Sequence, residues 1–174
     1  SAIAGMISKL NMMMGIMSNA VTTACASMVG QNLGAKKYDR VPQILAWGFA
    51  GTLVLAIICA FILKYDPELI FSFFTTDAAV LAQASIIILP AILNFIGAAS
   101  RCLGFGIING SGNSKLNLAV AIIDGVIGRI GIAYILGWLL AMGPKGFWLG
   151  DALAGFMPCV IGMAFYMSGK WKRD

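Results

Sequence analysis

The chain has 174 residues, 60% of them apolar and only 11% charged, with a mean hydropathy of +0.90. A soluble domain carries about 25% charged residues and could not hide this much apolar surface, so the main solvent is lipid. The net charge is +5 with no histidine, but the cations flank apolar stretches. They do not form the continuous basic surface that tracking a phosphate backbone needs, which excludes a nucleic-acid partner.

Five apolar stretches reach the ~20 residues that a membrane-spanning helix needs. The first is residues 2–29. It carries Lys9, and its Asn11, Ser18 and Thr22 are spaced to share one helix face. That face suits either the lining of a cavity or hydrogen bonds to a neighbouring helix. Met6, Met12, Met13, Met14 and Met17 cluster near the outer end; methionine adapts to varied apolar ligands, but packing is the simpler reading. The span closes on Val29 to Arg40, VGQNLGAKKYDR. Here a Gly-containing turn gives way to Lys36, Lys37 and Arg40, as expected of a helix leaving the bilayer on its cytoplasmic side.

The second span is 41–63, with Pro42 in its first turn and a stripe of small residues, Gly48, Thr52, Ala56 and Ala60. The third is 78–108, longer than a bilayer requires, so it should tilt, protrude or kink at Pro90. Its stripe is Ala98, Cys102, Gly106 and Gly110. Small residues at four-residue spacing let helices approach closely in lipid. The fourth span is 116–142 and the fifth 147–167.

Loop charges set the expected orientation. Lys36, Lys37, Arg40, Lys115, Lys170, Lys172 and Arg173 fall on one side, and only Lys64 and Lys145 on the other. The positive-inside rule places the first group and the C-terminus in the cytoplasm, with 66–77 (DPELIFSFFTTD) outside. The N-terminus is then outside. The chain opens on Ser1 without a charged n-region or cleavage-site pattern, so it reads as a piece of a longer protein with a preceding span.

Arg101, Asp124 and Arg129 lie deep within spans, and Asp151 near the outer end of one. A charge at a helix centre costs about 2.5–3.5 kcal/mol on insertion scales, so such groups face a partner or a wet cavity. Arg101 lies eleven residues before Gly112 and Asp124 twelve after it. In an antiparallel hairpin the two reach similar depth and should pair. Asn94 and Asn117 each precede one of these charges by seven residues and share its face. The transport-pathway candidates are therefore Asn11, Ser18, Thr22, Asn94, Arg101, Asn117 and Asp124, with Asp124 a candidate proton carrier. Arg129 is assigned a structural role, bonding carbonyls or a neighbouring lobe. Cys25, Cys59, Cys102 and Cys159 fall inside spans at no metal-ligand spacing, and no nucleophile–base constellation is present, so neither a metal site nor an enzyme is expected.

Several blocks resemble the MATE (multidrug and toxic compound extrusion) family. VGQNLGAKKYDR resembles the signature after an even-numbered helix of that family, and DPELIFSFFTTDAAV its entry to the tenth helix. FGIINGSGNSK resembles the turn after that helix, GRIGIAYILG a run of the eleventh, and GFWLGDALAG the start of the twelfth. The resemblance implies an all-α bundle holding the eighth to twelfth helices of a twelve-helix transporter, without the seventh helix and the N-terminal lobe. It implies a multi-pass protein of the cell (plasma or inner) membrane. Its function would be cation-coupled antiport, with sodium or protons driving export of small organic, chiefly cationic, compounds by alternating access. No other cofactor is implied. Asn109 and Asn113 stand where the family often has Arg and Asp, and Ala98 where sodium-coupled members often carry an acid. The alternatives are a flippase for a lipid-linked saccharide, which a cavity lined with arginines would favour, and a non-transporting membrane fragment or assembly subunit.

Overall fold

The computed structural model describes residues 2–73, 76, 78, 82 and 87–172. Their regular structure is helical: α1 (Ala2–Gly34), α2 (Arg40–Tyr65), the short α3 (Pro67–Ser72), α4 (Ile88–Gly110), α5 (Ser114–Leu139) and α6 (Pro144–Met167). All but α3 are long and apolar enough to cross a membrane. The protein is a multi-pass membrane bundle, as the hydropathy implies.

The centre is α4. Helices α1, α2 and both halves of α6 pack on it, while α5 leans mainly on the first half of α6. The small-residue stripes explain why. A Cβ on Gly104 would lie 2.0 Å from the Pro158 carbonyl oxygen, and one on Gly162 would lie 2.2 Å from the Gly104 Cα. The backbones of α4 and α6 therefore touch, which only glycine allows. On the other flank, Thr52 of α2 is buried and its hydroxyl donates to the carbonyls of Gly48 (2.9 Å) and Ala99 (3.3 Å). The Cys25 and Cys102 sulfurs meet at 3.3 Å where α1 crosses α4. Met6 and Met14 join the core with Phe71 and Phe95, whereas Met12 is exposed. Exposed apolar side chains such as Phe61, Ile130 and Trp138 cover the outside of α2 and α5.

Several expected boundaries shift. Helix α1 does not end at Val29; it runs through the GQNLG sequence to Gly34. The turn follows at Lys36, with φ 58°, where the Lys36 and Lys37 amides donate back to the Leu33 (3.0 Å) and Asn32 (2.8 Å) carbonyls. This is a Schellman cap with lysine in the usual glycine position. Gly30 serves packing instead, since its missing Cβ leaves room for the Gly110 carbonyl oxygen of α4. Most of the expected third span before Ile87 lies outside the described residues. Pro90 stands in the first turn of α4, where it costs no hydrogen bond within that helix; residues 83–86, where a kink caused by it would fall, lie outside the described residues. Two other helices depart from regular α geometry. Helix α5 widens to π-helical hydrogen bonding over Ile123–Ile132 and Ile135–Leu139, and α6 is interrupted at Gly155 and Phe156.

The basic segments gather at one end of the bundle. Trp171 is buried, donates to the Tyr166 carbonyl at 2.7 Å, and meets Tyr38 of the α1–α2 turn edge-on. Ser111–Lys115 and Lys170 line a small cavity beside it. At the opposite end Asp66 caps α3 by accepting from the Leu69 amide at 3.2 Å, directly before Pro67.

Candidate functional site

The deep polar residues converge on one cleft of about 280 Å³. Helix α1 contributes Ser8, Asn11, Ser18 and Asn19, α4 contributes Asn94 and Arg101, and α5 contributes Arg129. Five of the seven are held by specific side-chain bonds. The Asn94 amide donates to the Asn11 side-chain oxygen, and the Ser18 hydroxyl donates to the Ala98 carbonyl. These bonds fasten α1 to α4 along the face that the spacing of Asn11 and Ser18 defines.

Arg101 donates to the Asp124 carboxylate at 2.8 Å. The hairpin register behind the depth argument is therefore present. The Arg101 side chain is 24% exposed and that of Asp124 only 10%. Asp124 is turned into the protein, and its second oxygen, Oδ1, is buried without a hydrogen bond in the structure. The charges are thus unequally placed: the guanidinium borders the cleft and the carboxylate backs it.

Arg129 has a defined partner, which corrects the assignment to carbonyls or another lobe. It donates to Asp151 of α6 at 2.9 Å. The same depth argument, applied to the second hairpin, finds this pair: Arg129 lies eleven residues before Leu140 and Asp151 eleven after it. Arg129 also lines the cleft.

Two candidates stand apart. Thr22 shares the expected face, yet its buried hydroxyl has no hydrogen-bond partner in the structure and does not reach the cleft. Asn117 is half-buried near the start of α5 and also lies off the cleft. The widened turns of α5 begin at Ile123, directly before Asp124. Ser8 and Asn19 line the cleft without having been singled out; Ser8 lies three residues before Asn11 and Asn19 eight after it, a signal available from spacing.

A second, larger hollow of about 930 Å³ lies between α1 and α2. Its walls are mostly apolar, with Trp47 and Met28, and Asn32, Arg40 and Gln43 stand toward the basic end. No group of histidine, cysteine or carboxylate side chains suited to a metal ion occurs among the described residues.

The MatE family model matches residues 2–135. Among curated proteins, the chain is 29% identical over 146 residues to a probable multidrug resistance protein NorM of Bacillus cereus, covering 84% of the chain and 30% of that relative. It is 20% identical over 154 residues to the probable NorM of Thermotoga maritima, covering 88% of the chain and 33% of the relative. It is 22% identical over 152 residues to human multidrug and toxin extrusion protein 1, covering 87% of the chain and 27% of the relative. The chain thus spans about 30% of the length of these relatives. With five membrane-length helices, a match over most of its length and relatives that agree with it, the chain belongs to the MATE family.

Proposed function

We propose that this chain supplies the eighth to twelfth helices of a cation-coupled multidrug antiporter. A seventh helix and an N-terminal lobe would complete the cavity. Small organic compounds would leave by alternating access, driven by sodium or protons moving inward. The observation that carries this reading is the cleft itself. Seven polar side chains from three membrane helices meet at one place, at a desolvation cost that packing alone would not justify. Asn11, Ser18, Asn94 and Arg101 would border the path, and Asp124, bonded to Arg101 behind it, would carry a proton. The flippase reading draws support from one feature, that both deep arginines border the same cleft.

Vesicles test the proposal. The full-length protein should extrude a cationic dye when a sodium or proton gradient is imposed, and residues 1–174 alone should not exceed empty vesicles, because alternating access needs two lobes. Robust efflux by residues 1–174 would show that the chain assembles a complete cavity by itself. No efflux by the full-length protein under either gradient would sink the antiporter reading.

The proposed orientation puts Ser114 in the cytoplasm and Thr76 outside. Cysteines placed there should react with an impermeant thiol reagent added outside only at position 76. Labelling at position 114 from outside would reverse the topology.

A further inference from the structure

We propose that the cleft between α1, α4 and α5 is an oxyanion site that takes a carboxylate or phosphate group between Arg101 and Arg129. The two guanidiniums are the charged groups on its lining, and no acidic residue lines it among the described residues. Asp124 stands behind Arg101, and Asp151 lines the adjoining small pocket beside Asn11 and Asn94 instead of this cleft. Each ion pair engages one guanidinium nitrogen, at 2.8 and 2.9 Å. A guanidinium is a planar fork of five N–H donors, so each arginine keeps donors for a second, bidentate acceptor.

The pairs also hold the arginines in place. A side chain already fixed and charged loses little freedom when a ligand arrives, which makes the cleft preorganised. The remaining lining points the same way. The Asn11 oxygen is occupied by the Asn94 amide, and Ser18 has its proton committed to the Ala98 carbonyl. Asn19 adds an exposed amide to the cleft. An organic cation would find no carboxylate there. At about 280 Å³ the cleft holds an acidic group and part of its ring system, with the rest of the molecule projecting outward. The inference deepens the transport reading and rests on it only for the claim that the bound compound is exported.

The experiment measures binding rather than transport. The full-length protein in phosphatidylcholine nanodiscs is titrated with dansylglycine and with its methyl ester, which lacks the anion. The acid should bind at least about tenfold more tightly, the worth of a charge-assisted bidentate contact. Arg129→Gln should remove most of that preference. Its side chain is 40% exposed and that of Asp151 33%, so the unpaired acid can hydrate and the fold should survive. Arg101→Gln/Asp124→Asn removes the other guanidinium together with its buried counter-ion and should also remove the preference. Equal binding of acid and ester by the parent would overturn the site, as would a preference kept by both variants. A further arm replaces a fifth of the lipid with phosphatidylglycerol. Competition with dansylglycine in the parent identifies the resident oxyanion as a lipid phosphate; no competition identifies the carboxylate of a soluble compound. Acid preference without dye efflux refutes transport and keeps the site, whereas dye efflux without acid preference does the reverse.

Discussion

Arg101→Gln should destabilise the protein more than Asp124→Asn, although each breaks the same ion pair. The asymmetry follows from where the two charges lie. Without Arg101, the Asp124 carboxylate is left 10% exposed with no counter-ion. An uncompensated buried charge of that kind costs about 3–5 kcal/mol. Without the Asp124 charge, Arg101 still borders a polar cleft that can hydrate it, so the loss is nearer that of a charged hydrogen bond, about 1.5–3 kcal/mol. The double variant Arg101→Gln/Asp124→Asn should recover much of the loss, because neither charge remains to be desolvated. Thermal unfolding of the three variants in detergent gives the comparison. Equal losses for the two single variants would contradict the placement of Asp124 behind the cleft, and strictly additive losses would mean the residues do not interact. Efflux by the double variant then separates two roles. A folded protein without ion-driven efflux makes the pair part of the pathway; normal efflux makes it structural only.

The second large effect should come from one methyl group. Gly104→Ala places a Cβ 2.0 Å from the Pro158 carbonyl oxygen, and that neighbour is backbone, which cannot rotate away. Helices α4 and α6 would have to separate, and we expect a loss of roughly 3 kcal/mol, at the upper end of overpacking costs. Gly162→Ala should behave alike, since it meets Gly104 from the other side. Gly125→Ala is the control: nothing lies within 4 Å of its Cβ, and alanine is the better helix former by about 1 kcal/mol. Unfolding temperatures that fall at positions 104 and 162 and hold or rise at 125 would fit. A Gly104→Ala protein as stable as the parent would mean that α4 and α6 do not cross here.

Much of this architecture is legible in the residues. Hydropathy gives five spans, because a bilayer imposes a length that any apolar run must meet. Hairpin register gives the Arg101–Asp124 pair, because two helices joined by a short turn must bring residues equidistant from it to one depth. What the residues hide depends on contacts between helices. Gly30 looks like part of a turn, yet its missing side chain makes room for the Gly110 carbonyl of α4. Asn117 and Asp124 keep helical spacing in the sequence, but Asn117 lies off the cleft, near the start of α5. The cleft is half visible: Asn11, Ser18, Asn94 and Arg101 can be named from spacing and depth, while the convergence of both arginines on it depends on how α5 leans against α4 and α6.

The two ion pairs also bear on how the chain enters the membrane during synthesis. Arg101 finds its acid 23 residues later and Arg129 finds its acid 22 residues later. Each partner lies on the next helix of the same hairpin. A lone arginine or aspartate entering lipid costs about 2.5–3.5 kcal/mol, but a hairpin inserted as a unit carries its charge already neutralised. Helices α4 and α5 can therefore pass from the translocation machinery into the bilayer with Arg101 already neutralised, and Arg129, also on α5, waits only for Asp151 on the very next helix, so neither pair depends on a distant part of the protein.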